Sequence, residues 1–405
     1  MITRNIVKVK ASNTLLLISI TLLVALPLHL TAGHPAVASP SSSLLLNDRF
    51  IKDARGAIDL LYNREYDASL EHLSHWKQQY PDHPLWSFWE AMDAWWPVLV
   101  DLENTTHDDA FLEISEKVVS HCTTLLEENS EHLDARVIRS ITYGQIARYY
   151  SNRYRWYPGF RNGRRALRDF HFIEERYPDI PDLNFGIGMY RYFSSFLVDE
   201  YILARPLKWM LPSGDREEGL SRLKQAADSS IFLEPEAVFF LGHIYLHFEQ
   251  EPGQSLEYLE ELYQKYPNNT YYRRLYVRSL FQLRRTRSAD MAIKESLDYF
   301  NNDNRHDVRV LREDLYTIRG RIHFHYRQYD RAESDFLSAV EIAENLPPFA
   351  TRSNLITALY YLGEISVRND DMVMARYYFR RAATPDTDHT YRKKSREALQ
   401  KHRLE

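Results

Sequence analysis

The sequence predicts an all-α fold built from repeated helix pairs. Three observations support this prediction: a recurring helical spacing, a low glycine content, and a Tyr-Pro dipeptide that recurs where helices should end. Of the 405 residues, 44% are hydrophobic, 26% are charged and only 13 are glycine. This composition suits helices that bury one face and expose a charged one. Repeated units of this kind stack into one elongated core instead of forming separate globular domains.

The repeated spacing is a small residue, a large apolar residue four positions later, and an apolar or small residue three positions after that. Steps of four and three keep these side chains on one helix face, and the small residue lets a neighbouring helix approach. Three copies then end in Tyr-Pro, and proline cannot continue a helix. The five copies begin at Ser69, Ala166, Ser255, Ala332 and Ala375.

A second helical pattern precedes several copies, most clearly at Leu359, Leu362 and Gly363. Short polar turns are predicted to join the two helices at residues 64–67, 327–330 and 369–371. This arrangement resembles the tetratricopeptide-repeat (TPR) family, in which helix pairs recur about every 34 residues with small, aromatic and proline positions in this order. The resemblance implies a right-handed α-solenoid of about eight TPR-like antiparallel helix pairs.

The predicted organisation divides the chain at the points where the repeat is clear or degenerate. In the third pair the first helix is expected to run through Tyr149 and Tyr150, with a break at 156–159. The predicted parts are a signal peptide at 1–38, a linker at 39–48, N-terminal repeats at 49–129, central degenerate repeats with an insertion at 130–234, and C-terminal repeats with a capping helix at 235–405. The predicted pairs span 49–81, 82–129, 131–178, 182–229, 235–267, 269–300, 311–346 and 352–384.

The N-terminus has the layout of a secretory signal. Arg4, Lys8 and Lys10 precede an apolar run at 15–30, and the small-x-small pattern at 36–38 predicts cleavage before Ser39. The alternative is an uncleaved anchor, which would permit peripheral membrane association, although the run is shorter than the roughly 20 residues of a spanning helix. Cleavage changes the formal charge from −5 to −8, an acidic balance that disfavours nucleic acid as a partner.

The central insertion carries glycine-rich segments at 185–190 and 211–219. These segments are similar to part of a group of uncharacterised exported bacterial TPR proteins. The likeness implies a location in the periplasm or at the outer-membrane periphery, and it says little about activity.

Catalytic and cofactor patterns are not found in the sequence. Gly186 and Gly188 lack the third glycine of a dinucleotide fingerprint, so close helix packing is the better interpretation. His243 and His247 share a helix face that could hold zinc, but Ile244 stands where a catalytic zinc helix carries glutamate. Cys122 is interpreted as a small buried residue. We therefore expect no enzyme activity, no cofactor and no metal; an enzyme on a helical-repeat frame is the least favoured hypothesis.

Two clusters are candidate partner-binding surfaces. One combines arginines with Tyr154, Trp156, Tyr157 and Phe160, a mixture suited to acidic peptides because guanidinium groups pair with carboxylates while rings supply contact area. Its alternative is a solvated helix start with ion pairs to acids at 174 and 175. The other candidate is Trp86, which falls outside the stripe of Trp89 and Trp96 and could therefore be exposed. The alternative is that Trp86 packs in the core. The candidate residues are Arg153, Arg155, Arg161, Arg164, Arg165 and Trp86.

Together these patterns favour a non-catalytic protein-interaction scaffold or adaptor in the bacterial cell envelope. Its partner, a peptide or protein of unknown identity, is expected on the concave solenoid face that the first helix of each pair would line. The alternative is a membrane-tethered structural spacer or assembly subunit.

Overall fold

The computed structural model describes residues 43–200 and 214–404. The predicted signal peptide with its cleavage site, the first residues of the predicted linker, and residues 211–213 of the predicted insertion lie outside this part of the chain.

Every regular element in the described residues is an α-helix. There are eighteen of them: α1 (Asp48–Tyr62), α2 (Tyr66–His72), α3 (Ser74–Gln79), α4 (Leu85–Val100), α5 (Asp108–Glu128), α6 (Leu133–Asn152), α7 (Trp156–Arg176), α8 (Leu183–Glu200), α9 (Arg216–Ser229), α10 (Glu234–His247), α11 (Pro252–Lys265), α12 (Thr270–Gln282), α13 (Thr286–Tyr299), α14 (His306–His325), α15 (Tyr329–Ala343), α16 (Ser353–Arg368), α17 (Met372–Ala383) and α18 (Thr390–Lys401). None of these helices has the length and apolar character needed to cross a bilayer.

The chain divides into two compact units. Unit 1 comprises the described residues up to Trp95 and the segment Asp108–Tyr258, and unit 2 comprises Trp96–His107 and the described residues from Leu259 onward. Each unit has its own helix pairs and its own buried core.

The helices α1 to α17 form eight pairs, in the first of which α2 and α3 together make the second helix, and α18 follows the last pair. The turn inside most pairs is tight and has the same backbone signature, a single residue with positive φ. This left-handed conformation is uncommon for residues other than glycine, so its recurrence marks the same type of turn in these six pairs. The residues are Arg64, Tyr154, Gln250, Arg284, Arg327 and Asp370. Arg64, Arg327 and Asp370 lie within the predicted turns at 64–67, 327–330 and 369–371, although α2 already begins at Tyr66 and α15 at Tyr329.

The repeated small residue has the predicted packing role. Ser69 and Ser255, the first positions of two copies, are fully buried, and each donates a hydrogen bond to a carbonyl of the preceding helix, at Ala57 and Gly242, with O···O distances of 2.6 Å. In two other pairs a glycine of the first helix touches the ring of the copy's phenylalanine. A Cβ atom at Gly363 would lie only 2.6 Å from Cε1 of Phe379. The small positions therefore set how closely the helices of a pair approach.

Two predictions about the central region have different outcomes. Gly186 packs as expected, since a Cβ atom there would lie 2.3 Å from the ring of Phe170. The predicted break at 156–159 is wrong, because α7 begins at Trp156 and Pro158 lies in its first turn. A proline is tolerated there because the first N–H groups of a helix have no acceptor within the helix. The actual turn lies at 153–155, which places the arginines that follow on a helix.

The C-terminal segment forms a helix where the sequence predicts one. α18 packs against α16 and α17, and Tyr391 at its start donates or accepts a hydrogen bond with the hydroxyl of Tyr361 at 3.0 Å. Its buried residues are few, and its other face is charged. The helix is therefore amphipathic, as the sequence predicts.

Candidate functional site

The α7 patch is the strongest exposed cluster among the predicted binding residues. We define it as Tyr154, Arg155, Trp156, Tyr157, Arg161, Arg164, Arg165 and Arg168. The last four arginines lie at spacings of three and four residues, so they form one stripe on the exposed face of α7. The opposite face of the helix is buried through Ala166, Leu167 and Ile173. This patch is therefore an arginine stripe on the outside of the second helix of a pair.

The arginine stripe has no acidic partner within the described residues. Glu174, which sequence reasoning offered as a partner, instead contacts His171 at 3.2 Å. The nearest acid in the chain, Asp169, is buried and pairs with Arg136 and Arg139. The stripe contains four like-charge pairs at i,i+3 or i,i+4, and each such pair destabilises a helix by roughly 0.2–0.5 kcal/mol. The alternative, in which ion pairs within the protein neutralise these arginines, therefore does not describe α7.

Three of the patch arginines lie close to aromatic rings. The central guanidinium carbon of Arg155 lies 5.1 Å from the ring centre of Tyr150. That of Arg164 lies 5.9 Å from the ring centre of Phe160, and that of Arg165 lies 5.4 Å from the ring centre of Tyr143. Such contacts leave the edge of the guanidinium group free to donate hydrogen bonds.

The turn that precedes α7 exposes large aromatic side chains beside the arginines. Tyr157 is 75% exposed and Trp156 is 37% exposed. Tyr154, which has the positive φ of this turn, is also more than half exposed. Exposed aromatic rings next to arginine give the composition that dominates the energetics of protein interfaces.

Arg153 does not belong to the exposed patch, which corrects the prediction from sequence. Its guanidinium group binds the carboxylate of Asp108 through two hydrogen bonds of 2.7 and 2.5 Å, and Tyr149 donates a third to the same acid at 3.1 Å. Asp108 begins α5 and is buried. Arg153 therefore fixes the pairing of α5 with α6 and is not available to a partner.

The prediction that Trp86 is an exposed binding residue is also wrong. It is only 7% exposed, and its Nε1 donates to the carbonyl oxygen of Tyr80 at 2.7 Å. The chain entering α4 covers this side of the helix, so the alternative of core packing holds. Trp89 and Trp96 are buried as predicted. The candidate residues that the structure shows to be exposed are Arg155, Arg161, Arg164 and Arg165.

The two histidines considered for zinc lie next to each other in an apolar environment. The ring centres of His243 and His247 are 4.5 Å apart, and Phe239 and Phe248 each lie 5.9 Å from His243. Within residues 43–200 and 214–404 no group of three potential metal ligands occurs. Burial lowers the pKa of His243 well below its usual range and that of His247 to about 4. Both rings are therefore neutral at pH 7.

This pair should make the protein less stable in mild acid. The unfolded chain takes up protons below a pH of about 6.5, whereas the folded pair does so only at lower pH, so stability is present above pH 6.5 and is lost as the pH falls. Between pH 7.5 and 5.5 we expect the wild type to lose about 2–3 kcal/mol more than a His243→Phe/His247→Phe variant. Urea unfolding of both proteins at the two pH values measures this. Equal losses would contradict a buried neutral pair.

A buried ion network in unit 2 serves structure. Arg352 donates from Nε and Nη2 to the carboxylate of Glu313 at 2.9 and 2.6 Å, and from Nη1 to Asp101 at 3.0 Å. All three residues are at most 3% exposed. Glu103 accepts from the backbone N–H of Ser353 at 3.1 Å, at the first turn of α16. The network joins the segment 101–103 to α14 and α16 across about 250 residues of sequence.

Cys122 is a buried free thiol, as predicted, and burial raises its pKa to about 12. A thiol with such a pKa is inert at neutral pH, because the thiolate is the nucleophile.

Sequence reasoning missed a pocket of unit 2. Its walls include Phe281 of α12, Arg321 of α14 and Tyr361 of α16. Phe281, Arg321 and Tyr361 lie at different distances from the ends of their helices, and the distance grows from one helix to the next. A search for the same position in every repeat therefore does not find them. An alignment of α12, α14 and α16 on their positive-φ turn residues, Arg284, Arg327 and Asp370, would have revealed the regular shift between these positions.

Comparison with known proteins adds little to these observations. No family profile matches the chain, and no curated protein matches it. Among solved structures, yeast Tom70 is similar, with 12% sequence identity, coverage of 88% of this chain and 97% of that chain, and a TM-score of 0.19. At this identity and score the fold assignment depends on the helix pairs described above.

Proposed function

We propose that this protein is a non-catalytic interaction scaffold whose unit 1 binds an acidic segment of a partner protein through the α7 patch. The single observation that carries the proposal is the arginine stripe without an acidic partner, on a chain whose net charge is −5. Like charges on one helix face oppose folding, and an acidic partner would neutralise them.

The chemistry of the patch favours a peptide segment that carries carboxylates and at least one apolar side chain. Guanidinium groups bind carboxylates with two parallel hydrogen bonds, and the exposed rings at 154, 156 and 157 provide area for apolar contact. The stripe spans two helical turns, so it suits several acids of an extended or helical segment. Binding on the face lined by the first helices stays a separate prediction, because the patch lies on a second helix.

Affinity purification with matched variants tests the proposal. The patch variant is Arg161→Ala/Arg164→Ala/Arg165→Ala; the control is Arg287→Ala/Arg331→Ala/Arg396→Ala, which removes the same charge from exposed positions on three separate helices. We expect wild type and control to retain one defined partner with an acidic segment, and the patch variant to lose it. The same partner on all three proteins, or on none, would contradict the proposal, and the second result would favour a structural spacer.

The patch variant should remain folded, which separates lost binding from lost structure. Removal of four like-charge pairs offsets the loss of the ring contacts of Arg164 and Arg165, so we expect the free energy of unfolding to stay within about 1 kcal/mol of wild type. Chemical unfolding followed by circular dichroism measures this.

We also propose that the scaffold acts in the bacterial cell envelope after export. The N-terminal layout, with basic residues before an apolar run and a small-x-small pattern, supports this location. Fractionation with N-terminal sequencing tests it: a mature chain that begins at Ser39 supports export with cleavage, and an intact chain held in the membrane fraction supports the tethered alternative.

A further inference from the structure

Unit 2 contains a pocket of about 430 Å³ where the ends of α12 and α14 meet α16. This volume lies within the range of about 300–1,000 Å³ that is typical of small-molecule sites. No aspartate or glutamate lines it, and two arginines do, so the pocket is positively charged on an acidic protein. Its lining residues are Phe281, Gln282, Arg284, Thr286, Arg321, Ile322, His325 and Tyr361.

Arg321 differs from the other arginines of its helix. Arg309 and Arg312 donate to backbone carbonyls at the ends of α15 and α13, at 2.6 and 2.9 Å, and Arg319 donates to the carboxylate of Asp335. Arg321 pairs with no carboxylate of the described residues, and its Nε is buried without a hydrogen-bond acceptor among them. A buried donor without an acceptor costs about 1–3 kcal/mol. The buried Nε of Arg321 therefore does not stabilise the fold through a hydrogen bond.

Aromatic rings hold the guanidinium group of Arg321 in place. Its central carbon lies 4.6 Å from the ring centre of Phe281 and 6.0 Å from that of Tyr391. The hydroxyl groups of Tyr361 and Tyr391 are hydrogen-bonded to each other at 3.0 Å. Arg321 also hydrogen-bonds to Tyr361. The planar edge of a guanidinium group matches the two oxygens of a carboxylate.

From this geometry we propose that the pocket binds an organic carboxylate attached to an apolar body. Arg321 is the anchor for the carboxylate, and Arg284 adds a second positive charge. Phe281, Ile322 and Tyr361 contact the apolar body. The ligand is either a small organic acid or a carboxylate presented by a peptide; both contain the same recognised group. The site lies in unit 2 and does not depend on the α7 patch.

Titration of the full chain with 3-phenylpropionate tests this site, with 3-phenylpropionamide as the uncharged control. At about 0.3 kcal/mol for each of roughly eleven non-hydrogen atoms, Kd should be in the low millimolar range or tighter. We expect the amide and the Arg321→Gln variant each to bind at least tenfold more weakly. Arg331→Gln, an exposed change on α15, should bind as wild type does. The ¹⁵Nε signal of Arg321 should shift with the acid and not with the amide.

Further arms distinguish the ligand's source and keep the result separate from the proposed function. A peptide with a C-terminal phenylalanine as the free acid that binds more than tenfold tighter than 3-phenylpropionate would assign the carboxylate to a protein partner; comparable affinity would assign it to a small acid. The patch variant must bind as wild type does. Equal binding of acid and amide, an unaffected Arg321→Gln variant that is folded, or binding lost in the patch variant would each overturn the site.

Discussion

The Arg352→Ala variant is expected to lose about 3–5 kcal/mol of unfolding free energy, because the substitution removes the arginine that donates hydrogen bonds to two buried acidic side chains. Glu313 is fully buried and Asp101 is 2% exposed, so both side chains depend on protein partners more than on water. In the wild type, the hydrogen bond from His306 and the charge of Arg352 outweigh burial and lower the pKa of Asp101. Urea unfolding of the full chain measures the loss.

Two comparisons make the Arg352 result specific. Arg396→Ala removes an exposed arginine and should change stability by no more than about 0.5 kcal/mol. Adding Glu313→Gln to Arg352→Ala should recover part of the loss, since a neutral side chain needs no counter-charge. A loss below about 1 kcal/mol for Arg352→Ala, or no recovery in the double variant, would mean that these groups are not buried together.

The Gly320→Ala/Gly363→Ala double variant should be destabilised by about 2–6 kcal/mol, since overpacking costs about 1–3 kcal/mol at each of two separate contacts. A Cβ atom would lie 2.7 Å from Cε1 of Phe336 in one pair and 2.6 Å from Cε1 of Phe379 in the other. Both rings are fully buried, so neither can move without opening the helix pair. Thermal and chemical unfolding measure the effect.

The matched control for these glycines is Gly144→Ala in α6, where no atom lies within 4 Å of the added Cβ. This change should stabilise the protein by about 0.5–1 kcal/mol, because alanine favours a helix more than glycine does. Changing Phe379 to leucine in the Gly363→Ala background should restore stability. A gain in stability from both substitutions, at 144 and at 363, would contradict the close pairing of α16 with α17.

Local sequence patterns predicted the fold because each helix pair is defined by neighbours in sequence. The stripe that starts at Ala332 is buried through Phe336 and Ala339, as a period of 3.6 residues requires. The misplaced break at 156–159 has a local cause too: Pro158 was interpreted as a helix stop, whereas the first turn of α7 accommodates it.

The candidate site was predictable only in part, because partner choice is set by distant residues. The arginine stripe at 161–168 follows from helical spacing alone, but Arg153 pairs with Asp108, 45 positions away in sequence. Trp86 bonds to Tyr80 only six positions away, but helical spacing alone does not predict this contact, nor that the buried Nε of Arg321 has no acceptor in the described residues. Contacts between helix pairs decide which polar residues are free to bind.

The most direct test of the account is the salt dependence of binding between the full chain and the acidic segment of its captured partner. Titrations of wild type, patch variant and control variant at two salt concentrations measure it. We expect wild type and control to bind alike and to weaken as salt rises, because exposed charges are screened. The patch variant should bind at least tenfold more weakly at low salt and should respond less to salt. Equal affinity and equal salt dependence in all three proteins would contradict the α7 patch as the binding site.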